Sequence, residues 1–140
     1  MVDTKRILVA DPDRTERERL ARVVRAAAEL AGVAVQVDQA RDGTTAMAMW
    51  SEHRPDLVVC EVLLEGMSGL SLMRRMQSEH GSLPPVLLVT AMGRESDRYW
   101  GLRNGAHGYL RKPYDDEQLR RRVQAIFVDG PERTRERMET

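Results

Sequence analysis

The segment PDLVVCEVLLEGMSG, residues 55–69, holds a short apolar run, Leu57-Val58-Val59-Cys60, that stops on a carboxylate, Glu61, ahead of a glycine-containing turn. A continuous apolar run of this length marks a strand buried on both faces, as in the centre of a parallel sheet. Its carboxyl end carries Glu61 to the sheet edge where open parallel α/β proteins bind their ligands. Apolar runs of the same kind recur along the chain between helix-length amphipathic segments, the pattern of successive βα units. The fold class follows as α/β, with a parallel sheet and helices on both faces.

Outward from this segment, RILVAD (6–11) is a first strand and 14–31 a long helix with Leu20, Val23, Val24 and Ala27 on one face, stopped by Gly32. VAVQVDQA (33–40) alternates with period two, as a strand with one wetter face does, and Asp42-Gly43 turns the chain into a helix over 44–53. The central strand spans 56–61 and is followed by a helix over 69–79. PVLLVT (85–90) is a fourth strand, 95–104 a helix ending at Asn104-Gly105, and HGYL (107–110) a fifth strand. The final helix, 115–127, is acidic in its first turn and basic in its later turns, as the helix dipole favours. The expected organisation is one domain over 1–128 and a charged tail or linker start over 129–140.

At 140 residues the chain is long enough for one compact domain with a core and short for two. Its 41% hydrophobic and 31% charged content is that of a globular chain, and no run is long and apolar enough to span a bilayer. The amino terminus lacks the apolar region and cleavage site of a signal peptide, so a cytoplasmic location is expected. Lys and Arg number 22 against 22 Asp and Glu, a zero balance that disfavours a dedicated nucleic-acid binder. Cys60, the one cysteine, sits in an apolar strand and is expected to be an inert core thiol.

The strand ends carry the chemistry. Strand one ends on Asp11-Pro12-Asp13, strand three on Glu61, strand four on Thr90-Ala91, and strand five runs into Lys112-Pro113. Carboxylates, a hydroxyl and an ammonium at one edge suit a divalent cation and a phosphoryl group. The ordered set ILVADPD, PDLVVCEVLLEGMSG, VLLVTA and GAHGYLRKPY resembles the receiver domain of bacterial two-component response regulators, over nearly all of the chain.

That resemblance implies a flavodoxin-like, doubly wound five-stranded sheet in the order 2-1-3-4-5. It implies that the third-strand acid accepts a phosphoryl group from a histidine kinase, beside Mg²⁺ held by two acids after strand one. By position Thr90 and Ala91, Lys112 and the cis proline Pro113 form the phosphate pocket, and Tyr109 is the aromatic that reports its state. The metal positions are Asp11, Asp13 and Leu63. Two departures stand out: the acceptor position holds Glu61, and the second metal acid is Pro12. Glutamate carries its carboxylate about 1.5 Å farther than aspartate, and a misplacement of about 1 Å can cost on the order of a hundredfold in rate. Pro12 leaves Asp11 with only a displaced Asp13 for company, so Mg²⁺ binding is expected to be weak or absent and no resident cofactor is required.

The leading expectation is a non-enzymatic single-domain pseudo-receiver, a signalling adaptor whose pocket Glu61 and Lys112 hold in one state without phosphorylation. Its partners would be signalling proteins, namely a kinase, a motility protein or a regulatory protein. Neither a membrane nor nucleic acid is expected as a partner, and the chain would be a monomer or weak homodimer. The alternatives are a working phospho-receiver, the receiver part of a longer DNA-binding regulator, and a weaker third, a small-molecule domain using the strand-end crevice. Trp100, Tyr109 and Arg103 are candidate anchors on a partner face, although a tryptophan on its own helix also simply covers neighbours. Glu61 has a bland alternative as a solvated loop cap, and Lys112 as a structural ion-pair partner. Arg120, Arg121 and Arg122 are expected to be a solvated basic helix end, and His53, His80 and His107 lack the clustering of a metal site.

Overall fold

The computed structural model describes residues 4–92 and 101–130. Five strands, β1 (Lys5–Ala10), β2 (Val35–Ala40), β3 (Leu57–Cys60), β4 (Val86–Thr90) and β5 (Gly108–Arg111), form one parallel sheet in the order β2-β1-β3-β4-β5. Every neighbouring pair is parallel. Four labelled helices connect or follow them: α1 (Arg14–Leu30), α2 (Gly43–His53), α3 (Gly69–His80) and α4 (Asp116–Asp129). Residues 101–103 are also helical and end at Asn104-Gly105, where Gly105 takes φ +106°.

The sheet separates two apolar layers. On one side Leu20, Val24, Leu119, Val123 and Ile126 of α1 and α4 pack on Ile7, Val9, Leu57, Val59, Leu87 and Val89. On the other, Met47, Trp50, Leu72, Met73 and Met76 of α2 and α3 pack on Leu8, Val58, Cys60, Val86 and Leu88. Alternate residues of β3 therefore face opposite layers and all are buried, which is why its sequence shows no alternation. β2 lies at the edge; Val35 and Val37 pack on one layer, but the exposed Gln36 and Gln39 fall on opposite faces, so the single wetter face expected from its period-two pattern is not found.

Helix ends follow their local chemistry. Asp13 caps α1, Asp42 caps α2 and Ser68 caps α3, each accepting a main-chain N–H of the first turn. Asp115 and Gln118 form a reciprocal capping box at α4. The expected basic end of this last helix is not found. The helix runs on to Asp129 and its last turn carries no basic residue, so Arg120 and Arg121 lie one turn from the start. There both pair with Glu117, and i,i+3 and i,i+4 pairing rather than the dipole accounts for the charge order. The fifth strand starts one residue later than expected. His107 precedes it, buried, with its N–H on the Val86 carbonyl (2.7 Å) and its Nδ1 accepting the Val86 N–H (3.2 Å). Trp100, a candidate partner anchor, lies outside the described residues, as does 131–140, most of the expected tail.

Candidate functional site

Three chain segments leave the sheet at its carboxyl edge, those after β1 and β3 side by side and that after β5 across β4 from them. Asp11 follows β1 and donates its N–H to the Ala40 carbonyl (3.1 Å); Glu61 follows β3 and donates its N–H to the Ala10 carbonyl (2.9 Å); Lys112 follows β5 and donates its N–H to the Thr90 carbonyl (2.9 Å). The sheet register thus continues into the site and fixes these backbones. Asp11 and Glu61 are only 1% and 4% exposed. Two carboxylates at that depth need compensation, and Lys112 provides it: its Nζ lies 2.6 Å from Asp11 Oδ2 and 3.4 Å from Glu61 Oε1.

The remaining carboxylate capacity is used by main-chain donors. Asp11 Oδ1 accepts the Asp13 N–H (2.8 Å), Glu61 Oε2 accepts the Val62 N–H (2.7 Å), and Glu61 Oε1 also accepts a long bond from the Ala91 N–H (3.4 Å). Burial pushes the Asp11 carboxyl above its ordinary range; the Lys112 ammonium and the Asp13 N–H oppose that shift without cancelling it, and the Glu61 charge adds to it. Burial alone would lower the Lys112 ammonium, but its hydrogen bond to Asp11 and the fields of Asp11 and Glu61 outweigh it and hold it above the ordinary value.

Thr90 is fully buried at the end of β4, and its Oγ1 accepts the Met92 N–H (3.2 Å). Tyr109, also buried, donates its hydroxyl to the Met92 carbonyl. One loop is therefore gripped at consecutive residues: Ala91 by Glu61, and Met92 by Thr90 and Tyr109.

The family model of the response regulator receiver domain matches residues 7–124. The chain belongs to this family. Among similar proteins, Protein PilH of Pseudomonas aeruginosa is 32% identical over 124 residues, 88% of this chain and 98% of PilH. Response regulator MprA of Mycobacterium sp. (strain KMS) is 38% identical over 122 residues, 87% of this chain and 50% of MprA, so the chain spans half of that relative. In structure, the receiver domain of the putative response regulator NarL from Mycobacterium tuberculosis superposes with a TM-score of 0.75 at 28% identity, covering 89% of this chain and 97% of the other. The fold expected from the resemblance, a flavodoxin-like sheet in the order 2-1-3-4-5, is the fold observed.

Within this receiver the residues named from sequence separate into two groups. Asp11, Glu61, Thr90, Ala91 and Lys112 meet at one edge, and the Lys112–Pro113 bond is cis. The others do not join them as a ligand set. Asp13 Oδ1 caps α1, accepting the Thr15 and Glu16 N–H groups at 2.8 and 3.3 Å. Leu63, 57% exposed, has only a main-chain carbonyl to offer a cation, and Pro12 has neither a carboxylate nor an N–H. Among the described residues no three His, Cys, Asp or Glu side chains assemble as a metal site. A hard divalent ion needs several oxygen ligands. Here the central position between Asp11 and Glu61 is taken by an ammonium, so the residues present do not fit Mg²⁺. Arg103 lies exposed at the opposite, amino-end edge of the sheet and Tyr109 is buried, so the two do not form one exposed partner face. No helix among the described residues is long and apolar enough to cross a membrane.

A cluster that sequence reasoning missed braces the lysine loop. Tyr114 is buried and donates its hydroxyl to Glu16; the Arg19 guanidinium lies 4.4 Å over its ring, binds its carbonyl (3.0 Å) and pairs with Asp116 (2.7 Å). Arg17 reaches back to the Asp11 carbonyl (3.0 Å). The acid and base spacing along α1 reads as ordinary helix-surface pairing, and nothing local marks contacts made about a hundred residues downstream.

This cluster and the site lysine give the receiver an alkaline limit. Burial first, then the hydrogen bond to Glu16, raises the Tyr114 phenol above its ordinary 10.0, and Lys112 stands above its ordinary 10.5. Folded values above unfolded ones mean that both contributions are complete below about pH 10 and are lost as pH rises through the folded values. Urea midpoints are expected to be insensitive to these two groups between pH 7 and 9 and to fall steeply beyond about pH 10. Tyr114→Phe should flatten part of that fall; an unchanged slope in this variant would remove Tyr114 from the account.

Proposed function

We propose that this receiver is a phosphorylation-independent signalling adaptor, in which Glu61 stands permanently where a phosphoryl-bearing side chain would act. The observation that carries the reading is the closed set of charges at Asp11, Lys112 and Glu61. Both carboxylates already share one ammonium and the nearby main-chain amides, and the acid next along from Asp11, Asp13, is engaged through Oδ1 as the cap of α1. A phosphoryl dianion brought here would add two charges to two buried carboxylates that already share the single Lys112 ammonium. Glu61 instead supplies fixed negative charge to Lys112 and to the Ala91 N–H. Through the Ala91–Met92 loop that grip extends to Tyr109, so one state of the Tyr109 side chain is held without an input at the pocket. The output is contact with signalling proteins.

The test is intact-mass measurement after incubation with acetyl phosphate and Mg²⁺. The wild type should gain no phosphoryl adduct, while a Glu61→Asp, Pro12→Asp double variant, with both acids restored, should gain one. A wild-type adduct would sink the reading. A second reading, that the receiver is part of a longer regulator, rests on the relation to MprA, of which the chain spans half; the length of the encoding reading frame decides it.

A further inference from the structure

Among the described residues three large apolar side chains are exposed, Leu30, Leu63 and Val128, and two of them, Leu30 at 67% and Val128 at 70%, sit in the last turns of α1 and α4. Both helices return from parallel strands and pack on one face of the sheet, so both end at its amino edge. Near the start of α4, Arg19 ties the two together, binding Asp116 at 2.7 Å and the Tyr114 carbonyl at 3.0 Å. Eleven residues on from that tie, at about 1.5 Å each, Leu30 comes level with Phe127 and Val128. Val33 and Phe127, half-buried, pack on the apolar layer at the same end. Single exposed apolar residues are ordinary, whereas adjoining ones mark contact surfaces.

The outer face of α1 beside this margin carries charge of both signs. Arg22, Arg25, Ala26 and Glu29 follow one another at helical spacing, and all are exposed. The side chains of Arg22, Arg25 and Glu29 have no ion-pair or hydrogen-bond partner among the described residues, whereas on the same helix Arg14 is held by Glu18 and Arg19 by Asp116. Arg25 precedes Glu29 by four residues, and this order, cation first, is the less favourable one for pairing within a helix. Cations and an anion left over on one face are complementary to the same face turned end for end.

We infer that this face joins two copies of the chain in an isologous dimer. Arg22 and Glu29 stand about two turns apart with Ala26 near the midpoint. Antiparallel approach of two α1 helices across that midpoint sets Arg22 of each copy against Glu29 of the other, and the small Ala26 lets the helices come close. Leu30 then lies along the aliphatic stem of the opposing Arg22, which takes it out of water. A partner of a single charge sign would leave either the arginines or Glu29 opposed, so the mixed charge favours a second copy of this chain. Ion pairs between exposed side chains are weak, so the dimer is a reversible one that forms with concentration. The second half of α1 runs away from Asp11, Glu61 and Lys112, and the dimer does not rest on the adaptor reading.

The experiment is sedimentation velocity on the whole chain at fixed ionic strength, over protein concentrations from about 10 µM to about 1 mM. A reversible monomer–dimer equilibrium is expected, with a dissociation constant of about 300 µM or below. Arg22→Glu and Glu29→Arg should each raise that constant about tenfold or more, because each sets like charges together at both ends of the contact. Mixed in equal amounts, the two variants should form a heterodimer of near wild-type affinity, since every contact is then between opposite charges. Leu30→Glu should weaken the dimer as strongly as either charge reversal. These three positions are exposed, so the substitutions leave the core packing intact. A monomer over the whole concentration range, a dimer that the single variants leave unweakened, or no recovery on mixing them would overturn the inference.

Discussion

Lys112→Met is expected to lower the unfolding free energy by about 3–5 kcal/mol at pH 7, the usual cost of removing one partner from a buried ion pair. The methionine keeps the length of the stem and removes the ammonium that lies 2.6 Å from Asp11 and 3.4 Å from Glu61. Two carboxylates with almost no solvent exposure are then left facing each other with main-chain amides as their only donors. Asp11, raised already by burial, should bind a proton more readily still, so the deficit should shrink as the pH is lowered. Adding Glu61→Gln to Lys112→Met removes one of the stranded charges and should recover a substantial part of the loss. Urea denaturation of the three proteins at pH 7 and pH 5 measures all of this. A loss under about 1 kcal/mol would place Lys112 among ordinary surface ion pairs, and the closed set of charges behind the adaptor reading would lose its energetic basis.

Gly43→Ala is the second large effect, and it acts through the backbone. Gly43 opens α2 and donates its N–H to the Glu65 carbonyl (2.9 Å), which docks the loop 61–68 on the helix start. A Cβ at this position would fall 1.7 Å from the Met67 carbonyl oxygen and 2.6 Å from its carbonyl carbon. Main-chain atoms cannot swing aside as a flexible side-chain tip does, so the loop must move. The expected loss is at least about 3 kcal/mol, at the upper end of overpacking effects. Gly32→Ala is the control. Gly32 takes φ +76° with nothing within 4 Å of an added Cβ, so it should show only the left-handed backbone cost, about 1–2 kcal/mol. Because the displaced loop follows Glu61, the Val62 amide that Glu61 Oε2 holds should also lose hydrogen-exchange protection in Gly43→Ala. Equal losses in the two variants would show that the loop accommodates the methyl group.

Sequence reading reached some of this receiver's features and missed others for identifiable reasons. The interrupted apolar runs placed all five strands within about two residues of their observed ends, because burial on both faces favours apolar side chains throughout β3 and over β4 up to Thr90. Strand-end position then singled out Asp11, Glu61, Thr90 and Lys112, since a parallel sheet delivers all its carboxyl ends to one edge. What Asp13 does was not legible. An aspartate one residue before a helix can serve as a ligand or as a cap, and the same letters fit both; only the structure shows its Oδ1 accepting α1 N–H groups at 2.8 and 3.3 Å. The Arg triplet of α4 was read as a helix end although it lies in the second turn, where Arg120 and Arg121 are spaced to pair with Glu117.

By itself, then, the order of residues determined the α/β class, the strands and the chemical types at the sheet edge, because each rests on local periodicity or on a rule of parallel topology. Only the tertiary structure decided how those types are used. That one ammonium serves two buried carboxylates, that Tyr109 turns inward to Met92, and that Tyr114 braces the lysine loop against α1 all depend on distances between segments remote in sequence. Such distances are set by how the two apolar layers close on the sheet, and no short window of sequence contains them.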